Sequence, residues 1–185
     1  RQRDPAHGRI VRVERHARPR PPQPVHRMIL QGPDAPRLEV ARQAPPGIKF
    51  IIVGTGEEEQ LVRQAAEELP DLDFLGNIPN RELARYYAAA DVLVYPALYD
   101  EDLSLVLLEA LACGTPVINT NPGSGIYKLT DGVAFVVKPD PQQILEKITL
   151  LYNNPLLQER MSFAGVQFAH QFGPDLAKHI ADVYQ

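Results

Sequence analysis

From Ile48 onward, short apolar, β-branched runs alternate with longer stretches of helical period. No other feature of the chain restricts its fold as strongly. Ile48-Lys-Phe-Ile-Ile-Val53, ended by Gly54-Thr55-Gly56, reads as a buried strand. Glu57–Leu69 follows, with Leu61, Val62, Ala65, Ala66 and Leu69 on one helical face, and Pro70-Asp71 stops it. Leu72–Leu75 predicts a second strand. Asn80 is placed to cap a helix running through Ala90, with Glu82 in its first turn. Asp91–Tyr95 predicts a third strand, and Leu105–Ala112 an apolar helix closed by Gly114. Pro116–Asn119 and Val133–Val137 complete the strands, the latter after an Asp131-Gly132 turn. Pro139–Tyr152, Pro155–His170 and Pro174–Tyr184 read as closing helices.

Strands joined by helices at this spacing imply a parallel sheet covered on both faces, an α/β, Rossmann-like arrangement. Ile51, Val53, Val92, Val94, Val117 and Ile118 are then core residues. Ligands of such sheets bind beyond the carboxyl ends of the strands, which selects the loops 54–57, 76–80, 96–104 and 120–126.

The preceding segment is of another kind. Residues 1–48 hold ten Arg and no Lys against four acids, a local charge of +6, with nine of the 18 prolines and no Phe, Tyr or Trp. Arg18-Pro-Arg-Pro-Pro22 can form neither helix nor central strand. The chain therefore divides into a basic Pro/Arg-rich segment, 1–47, and a folded body, 48–185. The segment reads first as a poorly ordered basic arm; the alternatives are a tail for nucleic acid or anionic lipid and a GC-rich stretch read out of frame. Within it, Arg37–Ala44 has the pattern of a short helix. Ile10-Val-Arg-Val13 has the alternation of a strand and is the candidate for the central strand that a doubly wound sheet requires.

Composition removes some functions. The remainder of the chain carries nine bases and nineteen acids, so −10, which argues against a nucleic-acid partner. The Arg-rich arm leaves peripheral association with a membrane surface open. No run approaches the roughly 18 apolar residues of a membrane span. The first residues lack an apolar signal region, so the expected location is cytoplasmic. Cys113 is the only cysteine and reads as a small core residue.

Three features carry chemistry. Glu101 and Glu109 are separated by seven residues, the first in a strand-to-helix loop, the second inside the Leu105–Ala112 helix. A carboxylate sharing a face with Leu105, Leu108 and Ala112 is costly unless it is hydrogen-bonded. Either it reaches water along a helix edge or caps nearby backbone, or it accepts from the two vicinal hydroxyls of a ribose. The helix start at Leu103-Ser104 offers free N–H groups and a positive dipole end to a phosphate, unless Ser104 serves only as its cap. Gly54-Thr55-Gly56 is either a tight turn or part of a phosphate loop.

The stretch Glu101-x7-Glu109, continued by Ala110-Leu-Ala-Cys-Gly-Thr-Pro-Val-Ile118, resembles the signature of the family 4 (group 1) retaining glycosyltransferases, which have the GT-B fold. Phe50-Ile-Ile-Val-Gly54, Phe74-Leu-Gly-Asn-Ile-Pro79 and Ala90-Asp-Val-Leu-Val-Tyr-Pro96 match the family in order and spacing. So do Asp131-Gly132, Pro139-Asp-Pro141, Asn154-Pro155 and Phe172-Gly-Pro174. The resemblance spans residues 48–185 and implies the nucleotide-sugar-binding half of such an enzyme. It implies that Glu109 binds the ribose hydroxyls and that Glu101, the candidate catalytic residue, contacts the donor sugar or faces the reacting centre. Asp102, Leu103, Ser104 and Leu105 would form the diphosphate-binding stretch through backbone N–H groups. Asn77 and Ile78 would border the base, and Gly54 and Gly56 the turn beside it. The implied donor is a nucleotide diphosphate sugar, and neither a metal nor a separate cofactor is implied. The sugar would pass with retention to an acceptor held by a second Rossmann half.

The chain departs from this family in three ways. Asp102-Leu103-Ser104 stands where the family usually has Gly-Phe-Gly, which adds negative charge beside the diphosphate. The family's earlier Gly-Arg and Lys-Gly, which neutralise the diphosphate, have only Gly8-Arg9-Ile10 as an echo, and no Lys precedes Lys49. The acceptor-binding half is absent from these residues. The alternative is therefore an inactive fragment or assembly module of the same ancestry that docks a partner chain carrying the missing half. A nucleotide-sugar epimerase fits the paired glutamates less well. A dinucleotide oxidoreductase would need a third glycine where Glu57-Glu58-Glu59 follows Gly56.

Overall fold

In the computed structural model the described residues are 2–3, 10–11, 26–30, 35–56, 58–96, 104–120 and 132–172. Two short strands, β1 (Gln2–Arg3) and β2 (Ile10–Val11), pair antiparallel in a sheet of their own. The main body runs β3 (His26–Leu30), α1 (Ala35–Gln43), β4 (Ile48–Val53), α2 (Glu59–Glu68), β5 (Leu72–Gly76), α3 (Asn80–Ala89) and β6 (Val92–Tyr95). It continues with α4 (Leu105–Ala112), β7 (Val117–Asn119), β8 (Ala134–Val136), α5 (Pro141–Tyr152) and α6 (Pro155–His170). Six strands form one parallel sheet in the order β5-β4-β3-β6-β7-β8. This is the expected Rossmann-like, doubly wound arrangement.

The central strand is β3, not Ile10–Val13. β3 pairs from His26↔Ile48 to Leu30↔Ile52 on one side and from Met28↔Val92 to Leu30↔Val94 on the other. Ile10–Val11 instead pairs with Gln2–Arg3. The sheet thus takes its middle from inside the Pro/Arg-rich stretch. Composition averaged over 48 residues hides a five-residue strand that begins two residues after Pro24 and holds only three apolar residues, Met28-Ile-Leu30.

The strands are buried on both faces, and their side chains divide by the period of two. Leu93, Tyr95 and Val117 enter a core with Leu83 and Tyr87 of α3, Leu107, Leu108 and Leu111 of α4, and Phe168 of α6. Val92, Val94 and Ile118 enter the opposite core with Val40 of α1, Val62 of α2 and Ile144, Ile148 and Leu151 of α5. Five of the six expected core residues are buried, but Ile51 is only partly so. It lies near the β5 edge, on a face where Leu75 is exposed and Lys49 pairs with Asp73 across the strands at 2.8 Å. Leu61 is likewise exposed, because α2 buries only the stripe through Val62 and Ala65. Asn80 begins α3 rather than capping it, since the cap position falls on Pro79. Helix α5 begins at Pro141 rather than Pro139, and both α5 and α6 are capped by side chains. Asp140 accepts from the Gln142 N–H at 3.0 Å and Asn154 from the Leu157 N–H at 3.1 Å, each beside a proline at the first helical position. The expected Pro174–Tyr184 helix lies outside the described residues.

Helix α4 is sandwiched between the sheet and α6, and a glycine sets how closely α6 approaches. A Cβ on Gly165 would sit 2.8 Å from Leu111 Cδ2 and 3.6 Å from Leu111 Cβ, and Leu111 is fully buried. Gly165→Val is therefore expected to destabilise the fold by roughly 1–3 kcal/mol through overpacking. In Gly165→Ala, the gain in helix propensity of about 1 kcal/mol offsets part of a smaller clash. Urea melts of the three proteins measure this, and a Val variant as stable as the parent would refute the close α4–α6 approach.

Candidate functional site

Because every strand of the main sheet is parallel, the carboxyl ends of β4, β5, β6 and β7 gather along one edge. Gly54, after β4, has φ +111°, a conformation that favours glycine, and nothing lies within 4 Å of where its Cβ would be. Its N–H donates to the Gly76 carbonyl at 2.8 Å, which ties the end of β4 to the end of β5. Gly56 is exposed, and its carbonyl accepts from the Glu59 N–H as the chain enters α2. Asn77 is exposed beyond β5, whereas the Ile78 side chain is buried in the α3–α4 core. Any contact Ile78 makes with a ligand would thus come from its backbone.

Beyond β6 the chain passes to α4. Glu101, Asp102 and Leu103 lie outside the described residues. Ser104 occupies the cap position of α4 with extended backbone, but its side chain makes no capping hydrogen bond. Its carbonyl accepts from the N–H groups of Leu107 and Leu108. Leu105, the first residue of the helix, is an exposed apolar side chain.

Glu109 sits five residues into the chain from Ser104, about 7 Å further along the helix axis at the standard rise. It is 8 % exposed, and Leu107, Leu108, Ala110 and Leu111 around it are buried. It is the single ionisable carboxylate of an otherwise apolar helix. Lys49–Asp73, Arg63–Glu59 and Lys147–Glu146 form ion pairs among the described residues, and none of these three involves Glu109. Burial pushes the Glu109 carboxyl up from 4.5 to about 7, and a hydrogen bond from the Tyr87 side chain opposes that rise.

Tyr87 was not among the residues singled out from sequence. It lies on α3, is 1 % exposed, and belongs to the same core as Leu107 and Leu108. Its one sequence signal is position. Leu83 and Tyr87, four apart, put a phenol on the buried face of a helix, where its hydroxyl needs a partner. That the partner is a glutamate 22 residues later is a tertiary fact. The Thr115 hydroxyl donates to the Tyr87 carbonyl at 2.6 Å, so the turn between α4 and β7 also holds this residue. Cys113, at the end of α4, is partly buried against the same core. Among the described residues, no helix is long and apolar enough to cross a membrane.

Comparison with known proteins places this geometry. Residues 38–167, well over half the chain, match the family model "Glycosyl transferases group 1". The chain is 31% identical over 164 residues to a phosphatidyl-myo-inositol mannosyltransferase of Mycobacterium leprae (strain TN), covering 82% of this chain and 44% of that protein. It is 39% identical over 106 residues to a D-inositol 3-phosphate glycosyltransferase of Streptomyces bingchenggensis (strain BCW-1), covering 56% of this chain and 23% of that protein. It thus spans less than half the length of these relatives. In fold it is similar to Anabaena Alr3699/HepE, crystallised in complex with UDP, with TM-score 0.70 and 20% identity over 86% of this chain and 48% of that one. It is equally similar to the catalytic domain of cholesterol-alpha-glucosyltransferase from Helicobacter pylori, with TM-score 0.70 and 17% identity over 81% of this chain and all of that one. The parallel sheet, the glycine turns at its carboxyl edge and the matched residues lead to one assignment: the chain belongs to the group 1 glycosyl transferases, with the Rossmann-like half of a GT-B fold.

Proposed function

We propose that this chain binds a nucleotide diphosphate sugar and, together with an acceptor-binding half beyond these residues, transfers the sugar to an acceptor with retention. The observation that carries the reading is Glu109, a buried carboxylate in an apolar helix that starts at the ligand edge of the sheet. Two vicinal ribose hydroxyls supply such a carboxylate with donors beyond the one from Tyr87. The start of α4 supplies N–H groups and a dipole to the diphosphate, and the Ser104 side chain does not occupy them as a cap. Glu101 acts at the sugar, and Asn77 and the Ile78 backbone border the base. The location proposed is cytoplasmic. The base is open between the UDP of the HepE complex and the GDP-mannose in the name of a Corynebacterium glutamicum relative. One feature favours the rival reading of an inactive module: Asp102 puts a negative charge in the diphosphate stretch.

Calorimetric titration of UDP and GDP separates these readings. A hydrogen bond to a charged group contributes roughly 1.5–3 kcal/mol, so Glu109→Gln is expected to lower nucleotide affinity about ten- to a hundredfold. Equal affinity in both proteins would remove Glu109 from the ribose role, and no binding by either would favour the module.

The same group makes stability depend on pH. Its pKa is about 7 in the folded protein against an ordinary 4.5, so the folded state holds the proton more tightly than the unfolded state. The stability that this proton linkage contributes is full below about 4.5 and is lost as pH rises through about 7. From this group alone the parent should lose up to roughly 3 kcal/mol between about pH 5 and about pH 8. Glu109→Gln carries no such loss, so the stability difference between the two should move in the variant's favour as pH rises. Urea melts across that interval read the change, and a difference that does not vary with pH would place the carboxyl in its ordinary range.

A further inference from the structure

We propose that Tyr87 is a positioning residue of the ribose site, its phenol holding the Glu109 carboxylate in the orientation that accepts a vicinal diol; this rests on the ribose reading of Glu109 given above. The Tyr87 side chain hydrogen-bonds the Glu109 carboxyl from the neighbouring helix. The phenol is not free to move. The residue is 1 % exposed and lies in one core cluster with Ile78, Leu83, Leu107 and Leu108. Its carbonyl accepts from the buried Thr115 hydroxyl at 2.6 Å and from the Ala90 N–H at 3.0 Å. The hydroxyl therefore has a fixed place relative to α4.

A carboxylate offers two oxygens and about four lone-pair sites, and its terminal torsion is broad. A phenol that donates to one oxygen removes that freedom and leaves acceptor sites on one side for two hydroxyls. Ile78 belongs to the same cluster, so the segment expected to border the base and the acceptor for the ribose share one rigid support. Tyr87 thus acts through Glu109. It favours a ligand carrying both hydroxyls over one carrying neither, because only the former uses the oriented oxygens.

The test is titration of UDP, GDP and their 2′,3′-dideoxy counterparts against the parent, Tyr87→Phe, Glu109→Gln and the double variant. Tyr87→Phe keeps the ring and removes the hydroxyl. It is expected to weaken ribonucleotide binding roughly tenfold while leaving the dideoxy forms within about twofold. Added to Glu109→Gln, it should change nothing further. If Glu109→Gln abolishes the preference for the diol and Tyr87→Phe does not, Tyr87 has no positioning role and the ribose reading stands. If the parent shows no preference, or binds no nucleotide, the ribose reading falls and this one with it. Equal weakening of both ligand forms by Tyr87→Phe would mean support of the fold alone and would overturn the proposal. A ligand-free measurement stands beside these. In a carbon-13 titration, the Glu109 carboxyl midpoint should rise in Tyr87→Phe, because the lost hydrogen bond favoured the charged form; an unmoved midpoint overturns the contact itself. Should Tyr87→Phe fail to fold, Thr115→Val keeps the phenol and loosens its anchor. It should reduce the diol preference by a smaller factor, and an unchanged preference there overturns the proposal.

Discussion

The double ladder of β3 is the constraint on which the rest of this structure depends. β4 and β6 do not pair with each other; each pairs with β3, over five positions and three positions respectively. From β3 the chain builds outward in one direction through β4 and β5, then returns to the other side for β6, β7 and β8. The point of reversal lies between the carboxyl ends of β3, β4 and β6. In an open parallel sheet, connections diverge there and leave a crevice. The turn after β4 and the start of α4 flank that crevice as a consequence of strand order. The position of the candidate site thus follows from the topology before any side chain is considered.

Within that frame α4 carries an unfavourable residue. Leu105-Val-Leu-Leu-Glu-Ala-Leu-Ala112 would be an ordinary core helix with any apolar side chain at its fifth position. A carboxyl there must either keep its proton or lose its hydration, and the rise to about 7 places it between the two near neutral pH. Tyr87 opposes the rise without cancelling it. A group that weakens the empty fold and gains from added donors has the energetics of a binding residue, the kind of local inconsistency at which functional sites tend to lie.

Much of this was legible in sequence, and the exceptions have physical causes. The runs at Ile48–Val53, Val92–Tyr95 and Leu105–Ala112 were readable because nearly unbroken apolar stretches close to Gly or Pro leave little choice. Strand β3 was not, since His26 and Arg27 leave it only three apolar residues in a proline-rich neighbourhood, and pairing partners on both sides rescue it. The partial exposure of Ile51 was hidden for a related reason. Periodicity says which face a residue occupies, not whether a helix covers that face. Glu109 was visible as an acid in the wrong place. Its partner was not, because the Tyr87–Glu109 contact joins two helices with strand β6 between them in the chain.

The two ends of the proposed ligand then differ in how this chain meets them. Under the proposed reading the diphosphate end meets the start of α4, with Asp102 two residues before Ser104 in sequence and a charge of −10 over residues 49–185. Backbone dipoles attract an anion by modest amounts that a neighbouring carboxylate opposes. The nucleoside end, on the same proposed reading, meets Glu109, which is hydrogen-bonded by a buried tyrosine that is itself anchored through Thr115. Buried, oriented hydrogen bonds discriminate more sharply than exposed charge, because a ligand lacking the matching group leaves them unsatisfied. Under the proposed reading, what this half of the enzyme recognises on its own is chiefly the nucleoside, and the compensation of phosphate charge falls to groups outside α4.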